Sequence, residues 1–321
     1  MNDTKEQLIK RIMILNERVW ERRVPQPKID AWLSNFTGRV ADIEVERLHA
    51  LFWLSQFLYY GSKEIRVLLR SMYRDLYFCP MVQSVRSKLP FGFTQQDFEA
   101  AVNQAFDCTT FFGVGNPSES GIHLLYYFRQ ENTLAKDKFM DAAQIFSRNK
   151  KGRLTLRKPG INRYVFLDDI CGSGDTAINY SETTLAELRK LKPEVELAYY
   201  CLFASSRGLA RIRRDTLFCN NTAAVHELDE TYRAFSDNAR YFTIKYPDID
   251  RDTAIAVAKE YGNLLDPNYS CGYKDSQLLL GFHHNTPDNT LAIIWEDQTM
   301  HGAKLPWVPA FKRYPKVYGD A

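Results

Sequence analysis

Hydrophobic positions in the first third of the chain recur with the period of an α-helix. A helix over 4–22 is predicted by four apolar residues spaced four, three and four positions apart, Leu8, Ile12, Leu15 and Val19. Pro25 and Pro27 predict its end. Related patterns predict three further helices, at 40–60, 62–77 and 94–106. We therefore expect an all-helical segment over residues 1–105.

The pattern changes near residue 107, where runs of β-branched and aromatic residues begin. Buried strands are predicted at 108–115, 163–170 and 195–205. A helix over about 176–192 separates the last two, and a strand–helix–strand sequence of this length requires parallel strands. The expected class is α/β, with a mostly parallel sheet flanked by helices. Beyond residue 225 we expect a helix at 251–261 and a strand at 290–295.

Composition limits the classes of protein. The 321 residues are 45% hydrophobic with a net charge of +3, so a sizeable core is expected and general disorder is excluded. No apolar run of about 18 residues predicts a membrane span, and no signal peptide is recognised at the start. The six cysteines form no CxxC pair, which predicts reduced thiols, a cytoplasmic location and no structural zinc.

Positive charge is concentrated between residues 136 and 158. This stretch holds eight basic residues against two acidic ones. It is interpreted either as a solvated loop or as a strip facing the phosphates of a small ligand or a nucleic acid. No RNA-binding, zinc-finger or basic-zipper motif favours nucleic acid.

The segment that carries candidate chemistry runs from Tyr164 to Ala177, YVFLDDICGSGDTA. An apolar strand ends in Asp168 and Asp169, a small-residue loop follows, and a helix begins near Thr176. Gly172 and Gly174 permit a tight turn whose amides point inward, and the helix start adds partial positive charge. The carboxylates can accept hydrogen bonds from ribose hydroxyls or hold magnesium, directly or through water. These features predict a phosphate-binding loop.

The same segment resembles the ribose 5-phosphate motif of type I phosphoribosyltransferases. The resemblance implies that Asp168 and Asp169 are the catalytic acidic pair. It also implies that the 5-phosphate loop comprises Gly172, Ser173, Gly174, Asp175 and Thr176. An acid at Asp175 is unfavourable beside a phosphate unless it points outward. Purine-salvage members often carry an acid where this chain has Gly172.

A narrower resemblance is to the PRTase-CE group, phosphoribosyltransferase-like proteins of bacterial conflict and anti-phage systems. It covers roughly residues 50–313 and is carried by FFGVGNPSESGIHLLYYFR, VFLDDICGSGDTA, GYKDSQLLLGFHHNTPDNTLAIIW and WVPAFKR. After the helical segment predicted over 1–105, it implies a phosphoribosyltransferase-like α/β domain over 106–321 and, within it, a C-terminal α+β hood at about 265–313.

The resemblance also implies ligands and partners. Phosphoribosyl diphosphate with Mg²⁺ is the expected ligand, and the diphosphate donors would be Ser118, Ser120 and the Gly121 amide. The polar and aromatic segments at 272–277 and 283–290 are interpreted either as a plain surface loop between strands or as a hood over the substrate, whose candidate residues are Tyr273, Asp275, His284 and Asn285. A protein or ribonucleoprotein partner in a defence system is compatible, as is self-association; no membrane partner is expected.

Two other interpretations stay open. LDDICGSGDT also resembles the first motif of S-adenosylmethionine-dependent methyltransferases, although the next strand ends in serines rather than an acid. The motif can also belong to a non-catalytic module that senses a phosphorylated ribose and binds a partner. The acceptor of a transferred phosphoribosyl group is not defined by the sequence.

Overall fold

The structure, a computed structural model, describes residues 1–115, 120–297 and 306–314, with only the backbone described at 120–123. The chain divides into two compact units. Unit 1 comprises Met1–Ile65 and Leu228–Ala321, and unit 2 comprises Arg66–Glu227. Unit 1 is therefore assembled from both ends of the chain, and unit 2 is one continuous segment.

The N-terminal part of the chain is mainly helical. Its elements are α1 (Asn2–Arg18), α2 (Gln26–Leu33), α3 (Ile43–Ser55), β1 (Leu58–Tyr60) and α4 (Ser62–Ser71). Pro27, expected to follow a long first helix, lies in the first turn of α2, where a missing N–H leaves no hydrogen bond unmade. The predicted helix at 40–60 is shorter than expected, because its last residues form β1.

The middle of the chain alternates helices and strands. Its elements are a π-helical stretch (Met72–Phe78), α5 (Cys79–Lys88), α6 (Gln95–Asp107), β2 (Thr109–Gly113), α7 (Ser120–Glu131), β3 (Phe146–Arg148), β4 (Leu154–Leu156), β5 (Arg163–Cys171), α8 (Asp175–Tyr180), a second π-helical stretch (Ser181–Leu185), α9 (Ala186–Leu191), β6 (Glu196–Ser205), α10 (Ser206–Asp215) and β7 (Thr222–Leu228).

The last part contains α11 (Arg251–Leu265), β8 (Leu280–Phe282) and α12 (Ala292–Trp295). Short 3-10 turns connect several elements; they lie at Lys136–Lys138, Ala142–Gln144, Glu230–Tyr232, Arg240–Phe242 and Tyr273–Asp275. The prediction of a strand at 290–295 is wrong. Ala292–Trp295 is a helical turn buried on all sides, and a short, wholly buried apolar run has no periodicity that separates helix from strand.

A four-stranded sheet organises unit 2, in the order β2-β5-β6-β7. Both β2 and β6 pair with β5 in parallel, which confirms the mostly parallel α/β class predicted from the sequence. Phe112 of β2 stacks on Phe166 of β5, with ring centroids 5.0 Å apart. Because β5 lies between β2 and β6, its carboxyl end is next to the connections that follow these two strands.

Buried aromatic residues explain why unit 1 draws on both chain ends. The Trp32 indole of α2 donates to the Ile293 carbonyl of α12 at 2.8 Å, and Trp53 of α3 donates to Ala254 of α11 at 2.8 Å. The Tyr261 hydroxyl of α11 donates to the fully buried Glu46 carboxylate at 2.6 Å. Residues 1–65 therefore share a core with the C-terminal part of the chain. This division differs from the expected segments 1–105 and 106–321.

Two other expectations concern the chemistry of the whole chain. All six cysteines are free thiols. Among the described residues, no helix is long and apolar enough to span a bilayer.

Candidate functional site

The acidic pair lies inside β5 rather than at its last residue. Asp168 pairs with Cys201 of β6 in the parallel register, and Ile170 and Cys171 continue the same register beyond it. The sequence had predicted both acids at the strand end. The strand extends one residue beyond the expected 163–170, because Cys171 is buried and pairs with Ala204 of β6.

Asp168 and Asp169 form one electrostatic group. The Asp168 carboxylate accepts a hydrogen bond from the Tyr199 hydroxyl at 2.8 Å and another from the Asp169 amide at 2.9 Å. Burial, and next the charge of Asp169, raises the pKa of Asp168 well above its ordinary value. The two carboxyl groups are within hydrogen-bonding reach, so the pair favours sharing a proton or a cation over carrying two negative charges.

Tyr199 was not identified from the sequence as a site residue. It is buried in β6, and burial together with the Asp168 charge raises its pKa, so its hydroxyl stays a hydrogen-bond donor. Cys171 and Cys201 also lie near the pair, and burial raises the pKa of Cys171 to about 12, which keeps this thiol unreactive. The sequence carried no signal that distinguished Tyr199 from its neighbour Tyr200 in β6.

The glycine loop after β5 is held tightly against α10. Gly174 has φ +82°, a conformation in which a Cβ is strained. At Gly208, in the first turn of α10, a Cβ would lie 2.5 Å from the Gly172 carbonyl oxygen. The Ser205 hydroxyl, which caps α10 by accepting from the Gly208 amide, donates to the same carbonyl. These contacts fix the backbone of the predicted phosphate loop.

Three polar side chains converge on this loop. The Ser173 hydroxyl donates to the Asp175 carboxylate at 2.6 Å. The Arg211 guanidinium of α10 donates to the other Asp175 oxygen at 2.5 Å and to the Ser173 carbonyl at 3.0 Å. Arg211 therefore compensates the negative charge of Asp175, which would otherwise be unfavourable beside a bound phosphate.

Thr176, the last residue of the predicted loop, is exposed in the first turn of α8. Arg211 is one of four arginines of α10, together with Arg207, Arg213 and Arg214. The structure brings this one arginine to the loop.

The first strand of the motif also reaches the acidic pair. Gly113, the last residue of β2, pairs with Leu167, the residue before Asp168, and the Val114 amide donates to the Leu167 carbonyl at 3.0 Å. The connection after β2 therefore starts beside Asp168. Ser118, a predicted diphosphate donor, lies outside the described residues. Ser120 and Gly121 begin α7, and their roles stay predictions.

The predicted hood residues belong to unit 1, whereas the acidic motif belongs to unit 2. Asp275 pairs with Arg233 at 2.6 Å, and Tyr273 stacks on Tyr269 with ring centroids 5.7 Å apart. His284 stacks on the Phe282 ring with centroids 5.3 Å apart. The Asn285 side chain accepts from the Tyr314 amide at 2.9 Å. These contacts order a polar loop region within unit 1, and its role toward a substrate stays a prediction.

A magnesium ion would find two carboxylates here. Within the described ranges, no cluster of three or more His, Cys, Asp or Glu side chains is suited to hold a metal. Mg²⁺ commonly uses only one or two protein carboxylates and completes its shell with water and substrate phosphates. A pair that favours sharing a cation therefore fits Mg²⁺ that arrives with a phosphorylated ligand, and does not fit a resident structural metal.

Comparisons with known proteins give a family, and the solved structures that match include two distant ones. The family model PRTase-CE matches residues 29–313. A Helicobacter pylori xanthine-guanine-hypoxanthine phosphoribosyltransferase structure is 12% identical, covers 54% of this chain and 84% of its own, and has a TM-score of 0.25. The structure of the AQ2163 protein from Aquifex aeolicus is 15% identical, covers 64% of this chain and 86% of its own, and has a TM-score of 0.29. The search of curated proteins finds no match.

Proposed function

The chain belongs to the PRTase-CE family, and we propose on that premise that unit 2 binds a 5-phosphorylated ribose, as phosphoribosyl diphosphate with magnesium, and transfers its phosphoribosyl group. One observation carries the proposal. An acidic pair on β5, with Asp169 buried and Asp168 half-buried, is followed within three residues by a glycine loop that packs against α10 and in which Arg211 balances the charge of Asp175. Carboxylates that can bind a diol are thus followed along the chain by backbone amides that can bind a phosphate.

The loop would bind the 5-phosphate. The backbone amides between Gly172 and Thr176 lead into α8, and the Ser173 hydroxyl is a further donor. Arg211 already contacts the loop carbonyl of Ser173, so a small movement brings its guanidinium from Asp175 to a phosphate oxygen. The negative charge of Asp175 competes with the phosphate for the same two partners.

The acidic pair would orient the ribose. With one proton shared between them, Asp168 and Asp169 present both a donor and acceptors to two neighbouring hydroxyls. Tyr199 holds the Asp168 carboxyl in one orientation through its 2.8 Å hydrogen bond. Magnesium, when bound by this pair and by ligand oxygens, would supply positive charge to the diphosphate leaving group. The bond from ribose C1 to diphosphate would break with its electrons leaving on diphosphate, and the acceptor would form the new bond to C1.

Ligand-dependent thermal unfolding tests the binding step. A ligand at about 100 times its Kd stabilises the folded state by about 2.7 kcal/mol, so phosphoribosyl diphosphate with Mg²⁺ should raise Tm clearly. Ribose 5-phosphate should raise it less, and inorganic phosphate less again. S-adenosylmethionine serves as the comparison ligand. A rise with S-adenosylmethionine and none with the phosphoribosyl ligands would contradict the proposal and favour a methyltransferase.

A non-catalytic sensor of the same ligand is the second candidate function. It is favoured by the internal pairing of the loop, in which Ser173 and Arg211 are both held by Asp175. Release of diphosphate from bound phosphoribosyl diphosphate, measured with candidate acceptors, separates the two functions. Binding without release would identify the sensor. The anti-phage role suggested by the family resemblance belongs to either function.

A further inference from the structure

The basic stretch forms a hairpin with a defined tip. β3 and β4 pair antiparallel, with Phe146 opposite Leu156 and Arg148 opposite Leu154. In the turn, the Asn149 side chain accepts from the amides of Lys151 at 2.9 Å and Arg153 at 3.1 Å. The Arg148 guanidinium donates to the Gly152 carbonyl at 2.9 Å. We call residues 146–158 the basic hairpin; its turn is held by hydrogen bonds and presents its cations on an ordered backbone.

The charge of the basic hairpin is of one sign. It contains no Asp or Glu and six cations, Arg148, Lys150, Lys151, Arg153, Arg157 and Lys158. All but Lys158 are exposed. Among the residues that the structure describes, none of the six pairs with a carboxylate. Other cations of unit 2 do, such as Arg163 with Glu196 and Lys190 with Glu187. The hairpin therefore keeps its positive charge available to a partner.

The chemistry of the exposed surface selects the partner. The large apolar side chains of the hairpin are at least partly buried, because Phe146 and Leu156 pack against the core of unit 2 and Leu154 is half-buried. The hairpin therefore has no fully exposed aromatic or aliphatic anchor. Protein interfaces and membrane surfaces are normally engaged through such anchors. Single-stranded nucleic acid is normally bound by stacking its bases on aromatic rings. Lysine and arginine without apolar neighbours match the closely spaced phosphates of a nucleic-acid duplex.

We propose that the basic hairpin is a docking surface for the phosphate backbone of a nucleic-acid duplex, bound without reading its bases. The surface is separate from the acidic pair and the glycine loop in sequence. It adds a macromolecular partner to a chain whose overall charge of +3 would not by itself attract one.

Binding of a fluorescein-labelled duplex of about 20 base pairs, measured by anisotropy across a salt series, tests the proposal. Each phosphate contact contributes about −0.9 to the slope of log K against log salt. Lys150→Gln/Lys151→Gln should reduce the steepness of that slope by about two and weaken binding about tenfold. The matched control is Lys190→Gln/Arg214→Gln, which removes the same charge from exposed cations that are paired with Glu187 and Asp215. It should retain the wild-type slope.

Several outcomes would overturn the docking surface. They are equal losses in both variants, no duplex binding by wild type at low salt, and tighter binding to polyglutamate, acidic vesicles or a single strand than to the duplex. The hairpin variant should also retain the Tm rise with phosphoribosyl diphosphate and Mg²⁺. Loss of that rise would instead assign the hairpin to the small ligand. If wild type shows no rise in Tm with phosphoribosyl diphosphate and Mg²⁺, that result counts against the proposed function. The duplex-binding result would still test the docking surface independently.

Discussion

At the level of single residues, Asp175 competes with the phosphate of a ligand for the same hydrogen-bond donors. Its carboxylate holds the Ser173 hydroxyl at 2.6 Å and the Arg211 guanidinium at 2.5 Å. Both are groups that a phosphate would use. Occupation of the loop therefore requires Asp175 to give up its partners, and the affinity of the site depends on how readily it does so.

Asp175→Asn should tighten binding of phosphoribosyl diphosphate by about five- to tenfold, because it removes a negative charge beside the phosphate and weakens the competing pair. Calorimetric titration at fixed Mg²⁺ measures the change. Asp215→Asn is the matched control, since Asp215 lies 3.9 Å from the far side of Arg211 and pairs with Arg214. Weaker binding by Asp175→Asn would mean that Asp175 supports the loop rather than competing with the ligand.

Glu296 gives unit 1 a pH-dependent stability. It is fully buried, and burial raises its pKa to about 7. The folded state therefore keeps a proton that the unfolded chain releases at lower pH, so the contribution of Glu296 is retained below its unfolded pKa and lost as pH rises through about 7. Glu296→Gln should unfold at a higher temperature than wild type at pH 8 and at the same temperature at pH 4. Glu6→Gln, at an exposed position of α1, should show no such difference; an unchanged gap for Glu296→Gln at both pH values would contradict this account.

Individual residues also show where sequence reasoning stops. The acidic pair and the glycine loop were identifiable because carboxylates, glycines and hydroxyls adjoin in the sequence. Tyr199 and Arg211 were not assigned to the site, because they reach it through strand register and through the docking of α10. These are tertiary relations that no local spacing reports. The start of α10 was recognisable in the sequence, because Ser205 is a helix-capping residue three positions before Gly208.

At the level of elements, the close approach of α10 to the loop positions the site. Gly208 permits it, since a Cβ there would meet the Gly172 carbonyl oxygen at 2.5 Å and the Cys171 sulfur at 2.9 Å. The helical segment that follows the loop is interrupted by the π-helical stretch Ser181–Leu185, where the Ser181 hydroxyl accepts from the Leu217 amide at 2.8 Å. The loop is thus fixed by α10 on one side and by an irregular helix on the other.

Gly208→Ala should therefore destabilise the protein by about 1–3 kcal/mol, because backbone atoms must shift to accept the methyl group. It should also weaken phosphoribosyl diphosphate binding by moving Gly172. Denaturant unfolding and titration measure the two effects. Gly160→Ala is the control, because a Cβ at Gly160 meets nothing within 4 Å. Equal stability of the two variants would show that the α10 contact is looser than described.

Strands were predicted best where a strong apolar run was followed by a glycine or a helix-capping residue, such as Gly172 after β5 and Ser205 at the end of β6. β2, β5 and β6 fall close to their expected positions, and their parallel pairing followed from the helix between them. α12 was mistaken for a strand because Ile293, Ile294 and Trp295 are all buried. Periodicity disappears when every face of an element is covered.

At the level of the whole molecule, the chain combines an α/β unit that carries the acidic motif with a unit built from both chain ends. The family match spans residues 29–313 and so includes parts of both. The pairing of residues 1–65 with 228–321 was not predictable from composition or periodicity. It depends on long-range bonds such as that from Trp32 to Ile293, between residues more than 250 positions apart.

The central claim is that Asp168 and Asp169 bind a phosphorylated ribose with magnesium. Calorimetric titration of wild type and Asp168→Asn/Asp169→Asn with phosphoribosyl diphosphate and Mg²⁺ tests it most directly. Glu182→Gln/Glu187→Gln, in the helical segment after the loop, removes the same charge and is the matched control. We predict saturable binding by wild type and control, and a loss of at least about tenfold in the Asp168/Asp169 variant. Equal affinity in all three proteins would contradict the claim.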